Sequence, residues 1–243
     1  HLDDGKISGV VEAVAAGQAL VRVVATAKRK PVKLKPGKGL NLPGHCRPDI
    51  PAITAKDRRD LDYIVTAADL VGLSWIQSAA DVAALQNELG VRLGDNLRRL
   101  PLVAKIETAG AVNHLPEIIV RAASRQPLAL MIARGDLALE VGYERLAELQ
   151  EEVLWLSEAA HVPVIWATQV LENLVKYGAP SRAEITDAAM SERAECVMLN
   201  KGPYIVEGVR LLDKVLTRMD GHQRKKTARL GVMNMTGESP ASR

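Results

Sequence analysis

The chain has 243 residues, 47% of them hydrophobic and 25% charged, with a formal net charge of +3. That balance suits a globular protein with a real core, and so small a basic excess argues against nucleic acid as the main partner. Phe is absent, and three Trp and four Tyr are too few for the stacking platforms of single-stranded nucleic-acid binders.

Residues 6–14 and 19–24 are short, β-branched and partly alternating, with a Gly-containing turn between them. They predict two antiparallel strands of a small β unit. Lys28 to Gly39 is rich in Lys, Pro and Gly, and reads as a linker or an exposed edge. Its charge is either solvated or attracts phosphorylated ligands.

From Thr54 the rhythm changes to helix and strand in alternation. Thr54 and Asp57 form a helix start. Strands are predicted at 70–75, 100–107, 128–133, 162–168 and 196–200, and Ser78 caps a helix running to about Leu89. Further helices are predicted near 112–123, 143–160 and 204–219, followed by a polar tail. Continuous apolar strands between amphipathic helices predict a parallel sheet covered by helices on both faces. Residues 1–44 form the β unit and linker, 45–220 the β/α region, and 221–243 the tail.

Each strand ends in polar groups: Ser74; Lys105 and Glu107; Arg134 and Asp136; Thr168 and Gln169; Asn200 and Lys201. A doubly wound sheet concentrates its chemistry at one switch point. Polar ends on successive strands favour a (β/α)8 TIM barrel, whose site lies at the C-terminal strand ends. Five units fall short of eight, so the barrel is incomplete within this sequence.

Three segments carry chemistry. In Lys105-Ile106-Glu107 the two charged residues leave the strand on one face. Glu107 can bind a cation while Lys105 faces an anionic reacting group; the alternative is a surface ion pair of little energetic weight. In Arg134-Gly135-Asp136, the glycine permits close backbone approach to a ligand. Asp136 offers a second carboxylate for a hard cation such as Mg²⁺, and nearby amides can cradle a carboxylate. The alternative is a tight turn with a solvated Asp. Thr168 offers a hydroxyl for substrate or water, or a helix N-cap.

Taken in order, these segments resemble the pyruvate kinase family. Asp3-Asp4-Gly5-Lys6-Ile7 is similar to a segment of its lid domain, and Lys38-Gly39-Leu40-Asn41-Leu42-Pro43-Gly44 to the return from lid to barrel. Pro51 to Asp57 is similar to the helix start that follows. Val103 to Glu107, Met131 to Glu140, Ala167 to Glu172 and Pro180 to Asp187 resemble the barrel segments that carry the site.

The resemblance implies an enzyme that converts phosphoenolpyruvate and ADP to pyruvate and ATP through a metal-stabilised enolate, the last step of glycolysis. It implies catalytic roles for Lys105, Thr168 and Arg134, substrate carboxylate binding by Gly135, Asp136 and Thr168, and Mg²⁺ or Mn²⁺ on Glu107 and Asp136. K⁺ is a further cation it implies, and a homo-oligomer is expected. Two readings stand beside it: an aldolase-like enzyme that stabilises pyruvate enolate on the same barrel, and a catalytically degenerate regulatory paralogue.

The match departs from the family in three places. The barrel strands that precede the lid and the C-terminal regulatory domain have no counterpart, so the chain is expected to be part of a longer one. The family's Met-Leu-Ser-Gly-Glu-Thr-Ala stands here as Met198-Leu199-Asn200-Lys201-Gly202-Pro203-Tyr204, without the Glu. No apolar run reaches the roughly 18 residues that cross a bilayer, so no membrane partner is expected. No leader is expected, and Cys46 and Cys196 are read as reduced thiols in a cytoplasmic protein.

Overall fold

The computed structural model describes residues 1–3, 5–27, 32–43 and 50–223. Asp4, Lys28 to Pro31, Gly44, Cys46 and the tail from residue 224 lie outside the described residues.

Strands β1 (Ile7–Ala15) and β2 (Gln18–Thr26) form an antiparallel hairpin, as the alternation predicts. Their two-residue turn, Ala16-Gly17, holds both φ angles positive, the geometry that matches the twist of paired strands. Val10, Val14, Leu20 and Val23 stay exposed on it. The base of this unit is held by the chain's return. Asp3 N–H donates to Gly39 O at 3.0 Å, and Leu2 bridges to both Ile7 and Leu40.

Helix α1 (Ala55–Ala67) opens with a reciprocal cap. Asp57 N–H donates to Thr54 Oγ1 at 3.2 Å, and Thr54 N–H donates to Asp57 Oδ2 at 2.8 Å. Strand β3 (Val71–Leu73) follows, then α2 (Ala79–Leu93), whose first turn is closed by Asp81 accepting from the Gln77 and Ser78 amides. Strand β4 (Leu102–Ile106) leads to α3 (Ala109–Asn113) and α4 (Leu115–Ala123). The single helix expected near 112–123 is thus two, broken at His114 ahead of Pro116, which lacks the amide to continue the first.

Strand β5 (Leu128–Ala133) runs straight into α5 (Arg134–Val141), then α6 (Tyr143–Ala159). Strand β6 (Val164–Val170), α7 (Glu172–Tyr177), α8 (Arg182–Met190), β7 (Cys196–Leu199) and α9 (Ile205–Gln223) complete the described chain. Helix α9 runs past the expected end of the β/α region at residue 220.

The five later strands are parallel and ordered β3-β4-β5-β6-β7, with no reversal. Every crossover therefore steps the same way. Right-handed crossovers then put the helices on one face, as around a barrel, rather than on both faces as the apolar patterning suggested. The arrangement is an incomplete (β/α)8 barrel. Leu102, Ile106, Leu130, Ile132 and Trp166 from the strands pack with Leu89, Ile118 and Leu149 from the helices in one core cluster, each at most 1% exposed. Burying a side chain of this size contributes about 1.5–3 kcal/mol. No helix among the described residues is long and apolar enough to cross a membrane.

Candidate active site at the strand ends

Lys105 and Glu107 leave β4 toward the same side, as their spacing requires. Lys105 Nζ lies 2.9 Å from Glu107 Oε2 and donates to Ser74 Oγ at 2.9 Å. Glu107 is fully buried, and its Oε1 accepts from the Trp75 amide at 2.7 Å. Trp75 reaches this position with φ of +57°, a conformation that is costly for a bulky residue and is held by its surroundings. Glu107 Oε2 is enclosed and is met by the Lys105 ammonium as an ion pair rather than by a well-aligned hydrogen bond. A buried carboxylate oxygen left so, beside a single ammonium, is suited to a cation.

Asp136 sits in the first turn of α5, which begins directly at the end of β5. Strands β4 and β5 are paired through Ile106 and Ile132, so Glu107 and Asp136 rise from neighbouring strand ends. Asp136 Oδ1 accepts from Asn41 Nδ2 at 3.3 Å. Among the described residues no cluster of three or more His, Cys, Asp or Glu side chains is arranged to hold a metal. Two carboxylates completed by water and substrate oxygens remain a suitable donor set for Mg²⁺.

Arg134 turns inward. Nε donates to Ala167 O at 3.0 Å and Nη2 to Thr168 O at 2.6 Å. Nη1 and Nη2 grip the two oxygens of Asp187 on α8. The guanidinium lies over the Trp166 ring, 4.7 Å from its centroid. These contacts fix the end of β6, where Thr168, Gln169 and Leu171 all have positive φ.

Thr168 caps a helix, but not the one that follows it in sequence. Its Oγ1 accepts from the Gly135 amide at 2.8 Å. That amide has no partner within α5 because it lies in the first turn. A Cβ added at Gly135 would meet Thr168 Oγ1 at 3.5 Å, an ordinary contact, so the packing between the two segments does not itself demand glycine. Having accepted this bond, the hydroxyl keeps its proton to donate elsewhere.

Sequence reasoning found Lys105, Glu107, Arg134, Gly135, Asp136 and Thr168 as one group, and they lie on the successive ends of β4, β5 and β6. It did not single out Asn41, Glu140 or Asp187. Glu140 is partly buried and has its pKa raised by burial first, with repulsion from Asp136 adding to it and the nearby Asn41 side chain and Ala109 amide opposing it. The Ser181-x-x-Glu184 capping box, in which Ser181 N–H donates to Glu184 Oε2 at 2.8 Å, was the local signal for the helix that carries Asp187. A cavity of about 650 Å³ opens beside the group, lined by Leu40, Ser74, Trp75, Gln77 and Glu140 among others.

The final loop differs in kind. Gly202 packs on α7 so closely that a Cβ there would lie 2.3 Å from Val175 O, and Tyr204 N–H donates to that same oxygen at 3.1 Å. Lys201 is exposed.

An open-ended run of β/α units with charged groups gathered at the C-terminal strand ends defines an enzyme-type barrel. The family described as pyruvate kinase, barrel domain, matches residues 1–209, and the chain belongs to that family. Among curated relatives, the pyruvate kinase of Agrobacterium vitis is 33% identical over 229 residues, covering 91% of this chain and 44% of its own length. The pyruvate kinase of Mycobacterium tuberculosis is 34% identical over 226 residues, covering 90% and 45%. The crystal structure of a pyruvate kinase from Cryptosporidium parvum superposes with a TM-score of 0.78 at 27% identity, over 91% of this chain and 45% of that one. The chain thus spans less than half the length of these relatives.

Proposed function

We propose that the strand-end group serves phosphoryl transfer between phosphoenolpyruvate and ADP, giving pyruvate and ATP in the cytoplasm. The observation that carries this reading is the fully buried Glu107, whose Oε2 has the Lys105 ammonium 2.9 Å away as its charged neighbour.

Glu107 and Asp136 would hold Mg²⁺ or Mn²⁺, which when bound supplies charge neutralisation for phosphoryl and carboxylate oxygens. Lys105, partly exposed at the mouth and steadied by Ser74, presents positive charge where an enolate develops as the phosphoryl group departs. Such charge, fixed in place before reaction, stabilises the transition state more than the ground state. Thr168 offers its free hydroxyl proton to the substrate carboxylate. Arg134 is better suited to positioning than to catalysis, because its guanidinium is taken up by protein groups.

The test is ATP formation by the intact protein from phosphoenolpyruvate and ADP with Mg²⁺ and K⁺, repeated with chelator. Turnover that chelator abolishes and Lys105→Met lowers by orders of magnitude supports the reading. No turnover in folded protein, or full turnover in Lys105→Met, removes it.

A further inference from the structure

Helix α5 carries two carboxylates one turn apart, Asp136 and Glu140. Acids at this spacing share a face and repel each other. One amide from a distant part of the chain lies against both. Asn41 Nδ2 donates to Asp136 Oδ1 at 3.3 Å, and the Asn41 side chain also lies close enough to Glu140 to favour its charged form. An amide nitrogen has two protons, enough for both acids.

Asn41 belongs to the segment returning from the β unit, yet it is only 2% exposed. Its backbone is fixed as well, since its N–H donates to His1 O at 2.9 Å. The same base of the β unit presses on α5 a second time. Gly5 sits so close to Leu139 that a Cβ there would lie 2.7 Å from Leu139 Cδ2. The base of the β unit is therefore seated on the helix that carries Asp136, through one polar and one apolar contact.

We propose that Asn41 is a positioning residue for the divalent-cation site: it holds Asp136 in its binding orientation against repulsion from Glu140, and so couples the base of the β unit to metal affinity. This rests on the reading of Asp136 as a cation ligand. Without the Asn41 amide, Asp136 loses a donor and faces Glu140 unscreened. Removing an outer partner of this kind weakens metal binding by roughly tenfold.

The test uses Mn²⁺ as a paramagnetic probe, titrated against the intact protein and followed by loss of the free-ion signal, so turnover is not needed. Asn41→Ala is expected to raise the Mn²⁺ dissociation constant roughly tenfold. Asn41→Ala/Glu140→Gln is expected to recover most of that loss, because the repelling charge becomes an amide that can donate to Asp136. Recovery in the double variant cannot arise from misfolding of the single one. Parental Mn²⁺ affinity in Asn41→Ala, or a double variant no better than the single, overturns the positioning role. Asp136→Asn is the control for the reading beneath it. Parental affinity in that variant removes the cation site itself, and a weakened Asp136→Asn with an unaffected Asn41→Ala removes the positioning role alone.

Discussion

The Gly135 amide donates to Thr168 Oγ1 at 2.8 Å, while the Arg134 guanidinium beside it donates to Thr168 O at 2.6 Å. Two adjacent residues on α5 thus hold the hydroxyl and the carbonyl of one residue on β6. The clamp ties two strand ends together and leaves the Thr168 hydroxyl a proton to donate.

Thr168→Val keeps the shape and removes the acceptor. The Gly135 amide is left unpaired, which costs about 1–3 kcal/mol, and activity falls with it. Thr168→Ser keeps the hydroxyl and is expected to retain most of both. Urea unfolding midpoints and kcat on the three proteins check this; equal behaviour of Val and Ser would show that the hydroxyl is idle.

Arg134→Lys retains the charge but loses the planar fork that reaches Ala167 O, Thr168 O and both Asp187 oxygens. Lysine cannot reproduce that geometry. A loss of about 1.5–3 kcal/mol in unfolding free energy is expected, the range for hydrogen bonds to charged groups. Calorimetry at neutral pH gives the answer, and an unchanged melting temperature would deny Arg134 its structural role.

Gly202→Ala introduces a Cβ 2.3 Å from Val175 O. Overpacking at backbone costs about 1–3 kcal/mol, and the loop must shift off α7. Chemical denaturation of this variant, set beside Lys201→Ala, separates the two residues. Lys201 is exposed and its replacement is expected to fall within about 0.5 kcal/mol of the parent.

Glu140 has its pKa raised, by burial first and by Asp136 next. The folded protein therefore binds this proton more tightly than the unfolded chain. Its contribution to stability is favourable at low pH and is lost as pH rises from the ordinary value of 4.5 through the raised native one. Glu140→Gln removes that titration. The variant is expected to gain on the parent as pH rises through the window and to keep the gain at neutral pH. Melting temperatures from pH 4 to 8 test the sign.

Much of the fold is legible locally. The Thr54–Asp57 cap, the apolar runs of β4 and β5 and the period of α6 each obey rules acting over a few residues, and their elements lie where those rules put them. Lys105 and Glu107 could be paired from the sequence because alternate residues of a strand share a face. Short helices escaped. α5, α7 and α8 have fewer than ten residues each, too short for a period to emerge, and packing rather than propensity holds them.

The alternation of strands and helices, the polar strand ends and the family resemblance follow from residue type and spacing alone. Folding in three dimensions is what makes Thr168 cap a helix 33 residues before it, turns Arg134 to Asp187 rather than solvent, and brings Asn41 to Asp136 across 95 positions. Those contacts join residues that no local period relates. They exist because parallel pairing of β4, β5 and β6 brings the strand ends together, and because the base of the β unit folds back onto α5.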